Sequence, residues 1–119
     1  ARDYMLIYEN EKEISSIKID RTIFNKINLG TGGVIVTAKG QNADFVSRFF
    51  TPQATILEDP VTGSSHCTLI PYWSDFLSKK QLSAVQISER GGSLSCVNKG
   101  HRVLIGGQAK LFSKGTFYI

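Results

Sequence analysis

An α+β fold, with a mixed or antiparallel sheet rolled around one central apolar helix, is what the sequence predicts. Three observations carry it. About eight short segments have β-branched, aromatic or alternating character. One stretch, 64–80, repeats its apolar residues at helical spacing around most of a circumference. Glycine pairs and single prolines punctuate the chain between these segments. With 119 residues, 41% of them hydrophobic and 20% charged, the chain is one ordinary domain, 1–119. A chain of this size buries roughly two thirds of the surface its unfolded form exposes, enough for a core without metal or disulfide staples.

The elements follow in order. Tyr4 to Glu9 reads as a strand ended by Asn10, and Glu13 to Ile19 alternates apolar with polar residues as a second strand. Asp20 is a good N-cap for a short helix from Arg21 to Ile27, laid over the sheet and closed by Gly30 and Gly32-Gly33. The β-branched run from Gly33 to Ala38 and the alternation from Asp44 to Phe50 are two further strands. In the helix of 64–80, Cys67, Leu69, Ile70, Tyr72, Trp73, Phe76 and Leu77 leave little polar circumference, so protein should enclose it. Pro71 removes one of its backbone donors and either kinks it or separates its first turn. Strands then follow at 82–88, 93–98, 101–105 and 108–118, as an antiparallel meander.

Composition excludes several function classes. The net charge of +4 is spread along the chain, and Lys79-Lys80 is its only adjacent basic pair, so a nucleic-acid partner is not expected. No apolar run approaches the roughly 18 residues that a membrane-spanning helix needs, and no membrane partner is expected. The start, Ala1-Arg2-Asp3-Tyr4-Met5, lacks the pattern of a secretion signal, which predicts a cytoplasmic protein. Cys67 and Cys96 are the only cysteines and are expected to be reduced and at least partly buried. With His66 and His101 they have no metal-ligand spacing, so no metal site is expected.

Chemistry concentrates in Glu58-Asp59-Pro60-Val61-Thr62-Gly63-Ser64-Ser65-His66. Gly63 lets a ligand approach the backbone, and the following amides lie at the positive end of a helix, where a carboxylate or phosphate is favoured. The hydroxyls of Thr62, Ser64 and Ser65 add donors, while Asp59 and His66 are groups that move protons. A plainer reading has Thr62 or Ser64 capping the helix, Pro60 stiffening the turn and Asp59 complementing the dipole. An acid beside an anion cradle faces an amine, a hydroxyl or an acidic C–H better than it faces the anion, which points to an amino-acid-like substrate. Arg90, at the tip of the Gly91-Gly92 turn, is placed to neutralise a carboxylate, although a strand ending in such a turn is more often structural. No Gly-x-Ser-x-Gly elbow and no Walker loop is present.

Asp44-Phe45-Val46-Ser47-Arg48-Phe49-Phe50, the 58–66 segment, Pro71-Tyr72-Trp73 and Gln86-Ile87-Ser88-Glu89-Arg90-Gly91-Gly92 resemble, in order and spacing, the C-terminal half of the PhzF family of phenazine-biosynthesis-like isomerases. The resemblance implies a diaminopimelate-epimerase-like fold, in which two similar halves, each a sheet rolled around a central helix, face each other across a substrate cleft. It implies that Asp59 is an active-site acid and that the Gly63 and Ser64 amides, with the Ser64 side chain, hold a substrate carboxylate. Epimerases of this fold have a thiol where Ser64 stands, so carboxylate proton shuttling without a cofactor is the implied chemistry. The family's main catalytic glutamate belongs to the other half, which nothing here matches. The chain is therefore expected to be a fragment, inactive by itself, whose partner is that half or a second copy forming a homodimer. A non-catalytic ligand-binding or interaction domain of the same fold is the alternative.

Overall fold

A computed structural model describes residues 3–119; Ala1 and Arg2 of the expected domain lie outside the described residues. One six-stranded sheet organises them, in the spatial order β1-β2-β3-β4-β5-β6. The strands are β1 (Tyr4–Ile7), β2 (Val34–Lys39), β3 (Phe45–Phe50), β4 (Gln81–Gln86), β5 (Gly92–Asn98) and β6 (Val103–Gly106). The β1–β2 and β3–β4 pairs are parallel and the others antiparallel, so the sheet is mixed. The fold is α+β.

Each parallel pair needs a crossover connection. The first carries two short helices, α1 (Glu11–Ser15) and α2 (Arg21–Phe24); the second carries α3 (His66–Leu77). Strand order runs steadily across the sheet while strand direction reverses between the two pairs. Right-handed crossovers therefore fall on opposite faces. Two cores result. Ile14 of α1 and Phe24 of α2 pack with Val34, Val36, Ala38, Val46 and Phe50 on one face. On the other, Leu69, Ile70 and Trp73 of α3 pack with Ile35, Phe45, Phe49, Leu82, Ala84, Leu94 and Cys96. Strand β2 is covered on both sides, which accounts for its unbroken β-branched run.

Two expected strands are corrected. Residues 11–15 are helical, because the Asn10 side chain accepts from the Glu13 amide at 3.0 Å and the Glu13 carboxylate accepts from the Glu9 amide at 3.1 Å. These two bonds at the helix start outweigh the alternation. The segment 108–118 forms no strand. After Gly106 it leaves the sheet, and Leu111, Phe112, Phe117 and Tyr118 are almost wholly exposed. The radius of gyration, 15.6 Å, accordingly exceeds the roughly 13–14 Å expected of a chain this long. The sheet thus has six strands rather than about eight.

Asp20 does cap α2, accepting from the Thr22 and Ile23 amides, although the helix ends at Phe24, earlier than expected. Helix α3 runs continuously through Pro71, after a turn of i→i+3 bonds at Gly63, Ser64 and Ser65. Within this chain it buries one stripe, His66, Leu69, Ile70, Trp73 and Ser74, while Cys67 and Pro71 face solvent and Phe76 is 64% exposed. The expectation that both cysteines are at least partly buried holds for Cys96 alone; burial pushes its thiol up to about 11. Among the described residues, no helix is long and apolar enough to cross a membrane.

Candidate functional site

The loop from β3 to α3 is fastened at its start by Arg48. Its guanidinium grips both Glu58 carboxylate oxygens, at 2.7 and 3.0 Å, and donates to the Ile14 and Ile17 carbonyls at 2.8 and 2.9 Å. It also lies 4.8 Å from the centre of the Phe50 ring. Bidentate pairing with a carboxylate fixes orientation as well as distance. Beside it the Asp59 amide donates to the Phe49 carbonyl at 3.0 Å. Asp59 is thereby anchored to the sheet through its backbone.

The next turn is held by Gln86, at the end of β4 and fully buried. Its Oε1 accepts from the Thr62 amide at 2.8 Å, and its Nε2 donates to the Asp59 carbonyl at 2.8 Å and to Thr62 Oγ1 at 3.1 Å. The Thr62 hydroxyl in turn donates to Asp59 Oδ2 at 2.5 Å. Farther along, Ser88 Oγ donates to the Pro60 carbonyl at 2.7 Å and accepts from the Gly91 amide at 3.0 Å. Gly91 has φ +72°, which a side chain would strain, and a Cβ on Gly92 would stand 2.3 Å from Val61 Cγ2. The glycine pair lets the β4–β5 turn lie against the loop.

At the mouth of α3 the carbonyls of Gly63, Ser64 and Ser65 accept bonds from the first helical turn, whereas the amides of the same three residues donate to nothing among the described residues. Neither Thr62 nor Ser64 caps the helix: the N-cap position is Ser65, and no side chain bonds to the free amides there. Unpaired donors at a helix start carry partial positive charge. Gly63 and Ser64 are exposed, Gly63 needs no left-handed φ, and a Cβ on it would meet nothing within 4 Å. No internal contact accounts for a glycine there.

The other hydroxyls turn inward. Ser65 Oγ donates to the Thr62 carbonyl at 2.9 Å, and His66 Nδ1 lies 2.8 Å from the same oxygen, so this nitrogen carries the proton. His66 is fully buried against Phe45, with Nε2 lacking any partner among the described residues. Burial holds the imidazole below its usual range, against the opposing pull of the bond to Thr62. The ring is neutral and belongs to the interior. Arg90 is exposed, on the rim of an open hollow of about 880 Å³ between Val61, Gly91 and Gly92 on one side and Ile105 and Gly106 on the other.

Direct hydrogen bonds thus connect Asp59, Thr62, Ser65 and His66, with Gly63 and Ser64 on the same turn, and leave Arg90 outside. Sequence reasoning missed Gln86 and Arg48 as the residues that position them. The signal for Gln86 was an amide side chain at an inward position of an alternating strand, Leu82-Ala84-Gln86.

A mixed sheet with a crossover helix, whose first turn offers unbonded amides a few residues after a carboxylate held by Thr62, defines an α+β protein with a candidate anion site. Comparison with known proteins is specific. The phenazine biosynthesis-like protein family, PhzC-PhzF, matches residues 1–115. An uncharacterised isomerase of Pseudomonas aeruginosa is 44% identical over 118 residues, covering 98% of this chain and 44% of that relative. Crystal structures of a PhzF-family protein from Enterococcus faecalis and a putative PhzC/PhzF protein from Clostridium difficile superpose with TM-scores of 0.87 and 0.87. They are 49% and 46% identical, and the match covers all of this chain but only 45% and 46% of theirs. The chain belongs to the phenazine biosynthesis-like, PhzC-PhzF family, and it spans less than half the length of these relatives.

Proposed function

We propose that this chain is the C-terminal portion of a cofactor-independent isomerase acting on a small amino-carboxylate by proton transfer. The observation that carries the reading is one turn presenting the unbonded amides of Gly63, Ser64 and Ser65 next to the Asp59 carboxylate. The amides and the Ser64 hydroxyl receive the substrate carboxylate, with Thr62 and Ser65 shaping the turn from within. Asp59, repelled by that carboxylate, faces the carbon or amine beside it and carries a proton. In such an isomerisation a proton leaves one atom of the substrate and a proton is returned at another, so nothing is oxidised or reduced. The second proton carrier belongs to the part of the longer relatives that this chain does not span, so the chain alone is inactive. Arg90 adds positive charge at the rim. In the complete protein, the sheet rolls around α3, and the rest of the molecule, or a second copy in its place, covers Phe76 and the tail. The cytoplasm is the proposed compartment.

Two measurements test the reading. Millimolar alanine, as a minimal amino-carboxylate, should shift the amide resonances of Gly63, Ser64 and Ser65 before any others. In the full-length protein, Asp59→Asn should abolish solvent-deuterium incorporation into substrate while leaving stability within about 1 kcal/mol. Undiminished exchange in that variant removes Asp59 from the mechanism; unmoved amides favour an interaction domain without a ligand site.

A further inference from the structure

We infer that Gln86 is a positioning residue, which fixes the direction of the Thr62 hydroxyl proton and so determines which oxygen of Asp59 is committed and which is offered outward. The inference rests on the reading of Asp59 as a proton carrier and extends it to a residue 27 positions away at the end of β4.

The argument is one of hydrogen-bond polarity. The Thr62 backbone N–H can only donate, so the Gln86 atom facing it at 2.8 Å must be the amide oxygen. That assignment turns the NH₂ group toward the Asp59 carbonyl and Thr62 Oγ1, both of which can accept. Because Oγ1 accepts from Gln86, its own proton remains to be donated. Asp59 Oδ2, at 2.5 Å, receives it. This distance is at the short end of the range for a hydroxyl bound to a carboxylate. Asp59 Oδ1 receives no hydrogen bond among the described residues. One oxygen is therefore tied to the loop, and the other is left for a substrate proton.

A residue that merely filled space would not need this polarity. Gln86 is fully buried and all its strong donor and acceptor groups are used on two residues of the site loop. It stands on a central strand, paired on one side with Ser47 of β3 and on the other with Gly92 of β5. The loop thus inherits the rigidity of the sheet. Site geometry is held more closely by such elements than by a loop alone.

The test reads the hydroxyl proton in the ligand-free, full-length protein, with ¹³C labels in Asp and Glu carboxyl groups. In the unmodified protein, the Thr62 hydroxyl should give a slowly exchanging resonance and Asp59 ¹³Cγ a deuterium isotope shift. Thr62→Ser should retain both and Thr62→Val should lose both. Gln86→Met should speed hydroxyl exchange about tenfold, the order expected when one hydrogen bond is released, and should weaken the isotope shift. Gln86→Glu preserves size and the acceptor for the Thr62 amide. Near neutral pH it should draw the hydroxyl away, moving the isotope shift from Asp59 to the carboxyl carbon introduced on β4. If hydroxyl exchange and the Asp59 isotope shift are unchanged in folded Gln86→Met protein, or the shift stays on Asp59 in folded Gln86→Glu protein, Gln86 only packs the loop and the inference fails. Since no substrate is present, that outcome is independent of whether Asp59→Asn abolishes turnover.

Discussion

The site loop and the C-terminal tail are built on opposite terms. Between Glu58 and His66 the chain has little regular structure, yet its side chains and carbonyls are tied to β3, β4 and the α1 segment by named bonds. From Gly107 to Ile119 it also lacks regular structure, but Leu111, Phe112, Phe117 and Tyr118 are exposed by 84% or more. The loop is ordered by the domain it belongs to. The tail carries apolar side chains that the described domain does not bury. What separates them is the location of the partners, since neither has repetitive backbone bonding of its own.

The sharpest way to break the comparison is Arg48→Met. The substitution keeps apolar length, but it strands the Glu58 carboxylate and removes a donor from the Ile14 and Ile17 carbonyls. It should cost about 3 kcal/mol in denaturant unfolding, since removing one partner of a mostly buried pair leaves the other uncompensated. A loss under about 1 kcal/mol would mean that the loop does not depend on this anchor.

A smaller effect is expected from pH. His66 is buried and neutral, with a folded pKa below the ordinary 6.5, so the unfolded chain takes up a proton first as pH falls. Its contribution is fully present above about pH 6.5 and declines as pH drops toward the folded value. Thermal melting should therefore weaken below pH 6.5, before the carboxylates titrate. His66→Asn, which supplies a donor to the Thr62 carbonyl without titrating, should flatten that slope. An unchanged slope would place the acid sensitivity elsewhere.

The smallest effect belongs to the tail. Ending the chain after Gly107 should change the unfolding free energy of the remaining domain by no more than about 0.5 kcal/mol, as for surface changes that touch nothing. A larger loss would show the tail packed on the domain and would dissolve the contrast with the loop.

Much of this was legible beforehand because it is local. The period-two runs of β3 and β4, the existence of α3 and the Asp20 cap each depend on residues a few positions apart, whereas the expectation that protein encloses α3 is not met within this chain, which buries one stripe of it. The two strand misreadings have separate causes. At 11–15 a cap signal, Asn10 with Glu13, was present but was outweighed by alternation in the reading. At 108–118 the composition suits a strand, but the segment pairs with neither edge of the sheet, β1 or β6. Pairing is a property of neighbours and cannot be read along one segment.

The sequence by itself placed Gly63 and Ser64 at a helix start with Asp59 a few residues before them, because that follows from their spacing. Only the tertiary structure decided that Gln86 and Arg48 hold the turn, that His66 and the Ser65 hydroxyl face inward, and that Arg90 lines the hollows beside the loop without bonding to it. Hydrogen bonds across 10 to 34 residues depend on which faces the two crossovers occupy. That choice is made by the handedness of the connections across the whole sheet, not by any window of sequence.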